Sequence, residues 1–339
     1  MMFPADVRSR LDQLLEGVSR NDLAARAQRI SDRYRRGAPS SAAIRDANDA
    51  LAYALTRMPA TFAATHAALS DLDWAMPSPA PRSLVDLGAG TGAATLAACA
   101  VWPTLSHVTL VEANPHFREL AMTLLAPRRE ATGLTIDIVA ADLTKPADAP
   151  SIPQADIAVA SYVLVEQPFQ ARSQILDLAL DRASRALAIV EPGTPAGFEI
   201  LRGVRTDAIA RGARLLGPCP GEATCPLEGT DWCHFSVRLA RSRDHKLLKG
   251  ADAPFEDERY SFLALTRGPD GTPAIGRVLA SPTLDKTGVT MRVCAADGVH
   301  EARIPRASKT DFKAARRLDW GDRLPASLAG YLAKAPRRA

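Results

Sequence analysis

The sequence predicts an α/β protein with a Rossmann-like core, preceded by a helical region and followed by a small β-rich domain. Three observations support this prediction. From Ser83 onward, short apolar runs alternate with helix-like segments, which is typical of a parallel sheet covered on both faces. A glycine-rich turn joins the first run to the first helix-like segment. From about Arg259 the pattern changes to short strands, with a hairpin signal at Asp297-Gly298.

Composition divides the 339 residues into five segments. Apolar residues at three- and four-residue spacing predict an N-terminal helical region over 1–80, which ends in a Pro-rich joint. The core is predicted over 81–216. The other segments are a cysteine loop and basic helix over 217–258, a C-terminal β-rich domain over 259–308 and a basic tail over 309–339.

The core elements follow in order from the apolar runs. Segments 83–88, 107–114, 134–143, 155–164 and 186–193 read as strands, and helix-like stretches such as 91–102 and 115–127 lie between several of them. Segment 198–216 also reads as a helix, and the cysteine loop follows it. Together these elements predict one mostly parallel sheet.

The composition also limits the expected subcellular localisation and the expected partners. A hydrophobic content of 47% with 24% charged residues indicates a globular chain, and no apolar run approaches the roughly 18 residues of a membrane span. The N-terminus has no apolar signal core, and Asp6, Asp12 and Glu16 argue against a transit peptide. We therefore expect a monomeric cytoplasmic protein, with no membrane partner.

Positive charge is concentrated at the C-terminal end. The net charge is +4, but Ala302–Ala339 contains ten Lys and Arg against three Asp, so this end is +7 and the rest about −3. Such asymmetry suggests an acidic partner such as nucleic acid. A solvated terminus is the alternative.

The glycine-rich turn, VDLGAGTGAAT at 85–95, predicts a cofactor site. Glycines there allow a tight turn and a close approach to a ligand, and the following helix offers free N–H groups. Asp86 would repel a pyrophosphate but favour the ammonium and sulfonium of S-adenosylmethionine. Acids after the second and third strands are placed for the ribose and the adenine. The predicted cofactor residues are Asp86, Gly88, Gly90, Gly92, Glu112 and Asp142.

These features resemble the class I S-adenosylmethionine-dependent methyltransferases, a similarity that a degenerate, empty core would also share. The fourth strand ends in SYVLVEQP and lacks the Asn/Asp-Pro-Pro-aromatic loop of many base-amine methyltransferases. Ser161, Tyr162 and Glu166 are candidates for a substrate pocket, although an ordinary strand-end aromatic explains Tyr162 better. No catalytic residue is assigned, and cofactor binding is better supported than turnover.

Three of the five cysteines lie in one loop, GPCPGEATCPLEGTDWCHF at 217–235. The spacing Cys219-x5-Cys225-x7-Cys233 is wider than a zinc knuckle, and the two Cys-Pro steps resemble ferredoxin-like ligand runs. For a fourth ligand, Cys294 is favoured over His234, and Cys99 reads as an ordinary buried thiol. A [4Fe–4S] cluster is favoured, while zinc and unligated thiols stay open.

At this point a family resemblance is specific. The segments ALTRMPATFAA, LVDLGAGTGAAT, ASYVLVEQ and IVEPGTPAGFEILR, the cysteine loop, FEDERYSFLALTR and RRLDWGD resemble the methyltransferase-like small-ribosomal-subunit assembly family known from mitochondria and many bacteria. The resemblance covers nearly the whole chain, and the lack of a transit-peptide pattern points to a member from the bacterial cytoplasm. It implies a class I methyltransferase core, binding to small-subunit rRNA, and an iron–sulfur cluster on Cys219, Cys225, Cys233 and Cys294.

A basic segment at 238–250 predicts an RNA surface. Arg238, Arg241, His245 and Lys249 are spaced 3, 4 and 4, so we expect them to share one helix face. A solvated helix face is the alternative. The predicted RNA-binding residues are Arg238, Arg241, Arg243, Lys246, Lys249, Arg316 and Arg317.

Together with the resemblance, the sequence predicts a small-subunit assembly factor that binds S-adenosylmethionine, with rRNA methylation as its candidate activity. A catalytically inactive RNA-binding module of the same fold is one alternative. A small-molecule methyltransferase with an incidental cluster is the other, and the basic tail disfavours it.

Overall fold

The N-terminal region is helical, as predicted. The computed structural model describes residues 3–35, 43–269 and 271–334. The first four helices are α1 (Ala5–Leu14), α2 (Arg20–Arg35), α3 (Ala47–Thr56) and α4 (Met58–Ala75). Their buried side chains join the same apolar cluster as one face of the main sheet. In these described ranges, no helix has the length and apolar content needed to cross a membrane.

A buried carboxylate ties α2 to the start of α3. Asp49 has no exposed surface, and Arg26 and Arg45 donate to it at 2.7 and 3.0 Å. Burial acts to raise the pKa of Asp49, but hydrogen bonds from Arg45, Arg29 and Arg26 outweigh it and lower the pKa to about 2. The network fixes α3, whose C-terminal end reaches the candidate site described below.

The main sheet has eight strands in the described chain. They are β1 (Ser83–Leu87), β2 (His107–Val111), β3 (Thr135–Val139), β4 (Ala155–Ser161), β5 (Ala183–Pro192), β6 (Arg214–Gly217), β7 (Phe235–Ala240) and β8 (Phe255–Thr266). The order is β3-β2-β1-β4-β5-β8-β6, and β7 also pairs with β8. The first five strands are parallel, and β8 is antiparallel to its three neighbours.

Helices cover both faces of this sheet. They are α4 and four helices of the core, α5 (Ala93–Val101), α6 (Pro115–Thr132), α7 (Phe169–Arg182) and α8 (Pro195–Ala210). The short α9 (Arg243–Lys249) packs against α2 and α3. Leu84, Val85 and Leu87 of β1 are fully buried, and they belong to two different apolar clusters on opposite faces. A strand that is apolar on both faces requires such double covering. The predicted Rossmann-like core is confirmed.

Strand β8 differs from the predicted domain division. The sequence assigned residues from 259 onward to the C-terminal β-rich domain, but β8 is a twelve-residue strand of the main sheet. Its residues from Tyr260 to Thr266 are all buried, so this run needs cover on both faces. One edge pairs with β5, and β6 and β7 share the other edge.

The small C-terminal domain begins after β8. Its strands are β9 (Gly276–Val278), β10 (Thr283–Leu284), β11 (Gly288–Ala295), β12 (Gly298–Pro305) and β13 (Leu332–Lys334), with α10 (Lys309–Ala315) between the last two strands. The predicted hairpin is confirmed, since Ala295 pairs with Gly298. The predicted basic tail is folded over its described part, because β13 pairs with β12. Residues 335–339 lie outside the described ranges.

Candidate cofactor site and cysteine cluster

A cavity of about 400 Å³ lies at the carboxyl ends of β1, β2, β3 and β4. Strand β1 is flanked by β2 on one side and β4 on the other, so the chain reverses its direction of travel across the sheet at β1. Ligands of open α/β sheets bind outside this switch point. Tyr53, Met58 and Thr61 from the N-terminal helices form the opposite wall. The fold therefore encloses the expected position of a cofactor.

The glycine turn approaches this cavity closely. Gly88 has a φ of 73°, and a Cβ there would lie 2.7 Å from Cγ2 of Val163. Gly90 also lines the cavity, whereas Gly92, with a φ of 82°, is the N-cap of α5 and does not. Gly92 therefore shapes the turn rather than the wall, because a left-handed residue is needed where β1 gives way to α5.

Asp86 lies at the floor of the cavity and is almost completely buried. Its Oδ2 accepts hydrogen bonds from the N–H of Thr95 at 3.0 Å and from the Thr95 hydroxyl at 2.8 Å. Burial raises the pKa of Asp86 to about 7, although both bonds from Thr95 act to lower it. A positive ligand group would favour the ionised form.

Glu112 and Asp142 line the same cavity from the ends of β2 and β3. The two oxygens of Glu112 accept N–H groups from Gly90 and Asn114, both at 2.8 Å, so its carboxylate is held rigidly. Burial raises the pKa of Glu112. Asp142 accepts two bonds from Thr144 and is less buried, and its pKa is lowered by these bonds despite its partial burial.

Glu191 is a buried acid that the sequence prediction missed. It has no exposed surface, and it accepts the N–H groups of Leu164 at 2.7 Å and Val165 at 3.2 Å. Burial raises the pKa of Glu191 to about 8. It therefore holds the turn after β4 at the rim of the cavity. Its position near the carboxyl end of a predicted strand, in IVEP, could have identified it as a site residue.

The three candidate substrate residues, Ser161, Tyr162 and Glu166, all line the cavity. The backbone of Tyr162 differs from that of an ordinary strand-end aromatic. Its φ is 60°, a left-handed value that is rare for a bulky residue. The site thus brings together the predicted acids and the turn after β4.

The cysteine loop leaves and rejoins the same edge of β8. At its start Gly217 pairs with Ala264, and at its end Phe235 pairs with Tyr260, only four residues along β8. The loop must therefore close on itself, which brings Cys219 near Cys233. This proximity depends on β8 and could not be derived from the spacing of the cysteines alone.

All four predicted ligands line one second cavity of about 160 Å³: Cys219, Cys225, Cys233 and Cys294. Burial raises the pKa of Cys219, raises that of Cys294 to about 12 and raises that of Cys233 well above its usual value. Repulsion among the thiols acts in the same direction. Cys99 lies elsewhere, buried in α5, as expected.

Within the described ranges, no group of three or more His, Cys, Asp or Glu side chains is arranged to hold a metal ion. The iron–sulfur cluster therefore stays a prediction. What the structure establishes is narrower: the thiols that the sequence singled out share one cavity, and Cys294 reaches it from β11 of the small domain.

Two buried arginines also line the thiol cavity, and sequence reasoning missed both. Arg205 of α8 donates to the carbonyls of Gly221 and Ala223, at 2.9 and 2.7 Å. Its buried Nε has no hydrogen-bond partner in the described part of the chain. Arg277 of β9 donates to the carbonyl of Pro218 at 3.2 Å. Both arginines thus contact the backbone of the cysteine loop.

The predicted basic helix face is wrong. Arg238 lies in β7 and Arg241 follows that strand, so neither belongs to the face that His245 and Lys249 share in α9, and His245 is buried. Their charges are also paired: Arg238 binds Asp257, and both Arg241 and Lys249 bind Glu256. The N–O distances are 2.7 Å for Arg238–Asp257, 3.0 Å for Arg241–Glu256 and 2.8 Å for Lys249–Glu256. The other predicted RNA-binding cations, Arg243, Lys246, Arg316 and Arg317, form no salt bridge among the described residues.

A comparison with protein families gives a match over most of the chain. The family model described as "Mitochondrial small ribosomal subunit Rsm22" matches residues 47–325. The human ribosome assembly protein METTL17, mitochondrial, is 28% identical over 81% of this chain and 62% of its own length. Rsm22-cox11 tandem protein 2, mitochondrial, from Schizosaccharomyces pombe is 22% identical over 81% of this chain and 43% of its own length. The chain thus spans less than two thirds of these relatives.

Solved methyltransferases align with the chain at lower similarity. Precorrin-6y C5,15-methyltransferase from Geobacter metallireducens is 14% identical, with a TM-score of 0.39 over 60% of this chain and 86% of that one. Magnesium protoporphyrin IX methyltransferase from Synechocystis, solved with bound SAM, is 15% identical, with a TM-score of 0.38 over 70% and 90%. The fold class rests on the sheet order given above, not on these alignments.

The comparisons correct the expected localisation. The sequence suggested a protein of the bacterial cytoplasm, but the family description and the curated relatives are mitochondrial. The expectation rested on the composition of the first residues, and that composition did not discriminate between the compartments.

Proposed function

The chain belongs to the family described as mitochondrial small ribosomal subunit Rsm22, and from that premise we propose that it is a methyltransferase-like assembly factor of the small ribosomal subunit. In this proposal it binds S-adenosylmethionine, an iron–sulfur cluster and small-subunit rRNA. One observation carries the proposal: Asp86, Glu112 and Asp142 meet in a single cavity at the switch point of the sheet. A human relative named as a ribosome assembly protein supports the assembly role.

The chemistry of the cavity favours S-adenosylmethionine over a dinucleotide. Asp86 stands at the floor beside the glycine turn, where it would repel a pyrophosphate and attract an ammonium or sulfonium group. Glu112 is already oriented by two backbone N–H groups, and each of its oxygens keeps a further lone pair for a ribose hydroxyl. Asp142 is held by Thr144 at the third strand, on the side assigned to the adenine.

We expect Asp86→Asn and Glu112→Gln each to weaken S-adenosylmethionine binding about ten- to a hundredfold. Each substitution keeps the shape of the side chain but removes a charge-assisted hydrogen bond, which is worth about 1.5–3 kcal/mol. Because the pKa of Asp86 is about 7, its ionised fraction grows between pH 6 and pH 8. Cofactor affinity should therefore rise over that interval, and Asp86→Asn should flatten the rise. Isothermal titration calorimetry measures both effects.

Asp156→Asn is the matched control for cofactor binding. Asp156 also accepts backbone N–H groups, from Arg82 at 2.7 Å and Ser83 at 3.1 Å, but it lies at the opposite end of β4. Its substitution should leave the affinity unchanged. If the two cavity variants bind the cofactor as tightly as this control, the cofactor assignment is wrong.

The residues of the thiol cavity fit a [4Fe–4S] cluster. Four thiolates are the donor set that such a cluster uses, and the Arg205 side chain beside Cys219 favours the thiolate form of that residue. The proposed ligands are Cys219, Cys225, Cys233 and Cys294. When bound, the cluster would cross-link the cysteine loop to β11, and Arg205 and Arg277 would offset the charge of the thiolates. Its proposed role is structural.

The proposed RNA surface consists of exposed cations whose charge is not neutralised by a salt bridge in the described part of the chain. Arg316 and Arg317 follow α10 and are exposed, and Lys309 and Lys313 are exposed on α10 itself. Arg243 begins α9 and is exposed too. Pairing with Asp257 and Glu256 weakens the case for Arg238, Arg241 and Lys249, because a paired cation adds little net charge for a phosphate.

We expect the double variant Arg316→Ala/Arg317→Ala to weaken binding to small-subunit rRNA and to reduce the slope of log K against log salt by about one per lost phosphate contact. Filter binding over a salt series measures the slope. Arg238→Ala, which removes a cation already paired with Asp257, should change the slope less. An unchanged slope in the double variant would place the RNA surface elsewhere.

A further inference from the structure

A third cavity, of about 210 Å³, opens beside the cofactor cavity, and we call it the chamber. Four side chains line both spaces and so form the boundary between them: Tyr53, Thr61, Tyr162 and Glu166. The rest of the chamber is lined by residues of α2, α4, α9, β8, the end of β5 and the turns after α3 and β5, among them Arg57, Thr194 and Glu258. A group held in this chamber would therefore lie directly against whatever occupies the cofactor cavity.

Tyr162 is held at that boundary by both its backbone and its hydroxyl. Among the described residues it is the only one other than glycine with a positive φ, 60°. Its N–H donates to the carbonyl of Val190 at 2.7 Å, and its hydroxyl donates to Oε1 of Glu258 at 2.6 Å. Such a conformation costs on the order of 1–3 kcal/mol, and strain of this kind concentrates at ligand sites.

Three carboxylates and two cations, Arg57 and Lys249, line the chamber. Glu258 and Glu166 contribute carboxylates, and Tyr162 orients that of Glu258. Glu256 also borders the chamber, but its oxygens bind Arg241 and Lys249. Carboxylate oxygens accept the exocyclic amino group of cytosine, and tyrosine rings stack on unpaired bases. Uracil would instead turn a carbonyl oxygen toward the carboxylate and be repelled.

We propose that this chamber binds an extruded RNA base that carries an exocyclic amino group, cytosine or adenine. The amino group donates to the Glu258 carboxylate, and the base stacks on Tyr162. The proposal rests on the proposed function, since the neighbouring cavity is assigned to S-adenosylmethionine. It names the substrate class of that site: an amino base rather than a hydroxyl or a carbon acceptor. The preference for an amino base follows from the chamber residues and not from the fold or the glycine turn.

The test uses the full-length protein and RNA pentamers that differ only in a central cytosine, adenine or uracil. Affinity is measured by fluorescence anisotropy, with and without S-adenosylmethionine. We expect the cytosine or the adenine pentamer to bind about ten- to a hundredfold more tightly than the uracil pentamer, the effect of one charge-assisted hydrogen bond. Whichever amino base binds more tightly is the base that the chamber prefers.

Glu258→Gln supplies the specificity test. The new amide can donate to the carbonyl of uracil, so the preference for an amino base should disappear or reverse. Tyr162→Phe keeps the ring but frees Glu258 from its 2.6 Å partner, and it should reduce the preference without abolishing binding. Glu119→Gln, an exposed residue of α6, is the control and should preserve the preference.

The outcomes separate this inference from the proposed function. Cofactor binding without any base preference, or no binding of the pentamers at all, would overturn the base chamber and leave the cofactor site standing. A base preference in a protein that does not bind S-adenosylmethionine would overturn the cofactor assignment and leave the chamber standing. A preference that survives in Glu258→Gln would also overturn the role given to Glu258.

Discussion

Asp71→Ala should destabilise the protein by about 3–5 kcal/mol, the cost of leaving a buried charge without its partner. Arg277 is only 4% exposed, and its guanidinium binds both oxygens of Asp71 at 2.8 Å. Arg323 donates to the same carboxylate at 2.6 Å. Without Asp71, Arg277 keeps its hydrogen bonds to the carbonyls of Pro218 and Gly321, but its buried charge loses the carboxylate that pairs with it.

The measurement is urea-induced unfolding followed by circular dichroism. Asp207→Ala removes an acid from an exposed pair 3.9 Å from Arg211, so it should cost less than about 1 kcal/mol. Since Asp71 belongs to α4 and Arg277 to β9, loss of the pair should also speed hydrogen exchange in the small domain. Equal stability of the two variants would show that the buried pair contributes nothing.

The sequence was sufficient for the cofactor cavity because each of its parts is local. The glycine turn, the acids after β1, β2 and β3, and the apolar strands are all read within about ten residues of chain, and a parallel sheet then brings the strand ends together. Gly92 illustrates the limit of that reasoning. Its place in the motif predicted a cavity wall, whereas its left-handed backbone serves the start of α5.

Other features depend on pairings that no local pattern reveals. Asp71 and Arg277 are 206 residues apart, and Tyr162 and Glu258 are 96 apart. Both contacts exist because β8 enters the main sheet beside β5, while the following residues form a separate small sheet. The predicted basic helix face from Arg238 to Lys249 was wrong for the same reason. A four-residue spacing is compatible with a helix, but β7 takes the first of these residues to pair with β8.

The thiol cavity depends both on local sequence patterns and on pairings between distant residues. Sequence patterns singled out the four cysteines, but only the register of β8 shows why the loop closes on itself. The buried arginines were beyond prediction, because Arg205 and Arg277 reach the loop from α8 and β9. Both arginines line the same cavity as the four thiols, which strengthens the proposed cluster, since four ligated thiolates without nearby cations would be costly to bury.

Changing any one of Cys219, Cys225, Cys233 and Cys294 to Ser should remove the visible absorption of the anaerobically purified protein. A cubane cluster uses four thiolates, so the wild-type protein should contain about four irons per chain and little zinc. Because metal binding and folding are coupled, each variant should also loosen the small domain, seen as faster hydrogen exchange in β11. Iron analysis and absorption spectra measure the loss.

Cys99→Ser is the matched control, since Cys99 is a buried thiol in α5 outside the thiol cavity, and it should keep both iron and colour. Arg205→Met should lower iron retention without removing a ligand, because it deletes a cation that faces the thiols and two hydrogen bonds to the loop. One tightly bound zinc and no iron would replace the cluster with a zinc site. Full iron loading in Cys294→Ser would move the fourth ligand elsewhere, and His234, whose ring stacks on Trp232, would be the next residue to change.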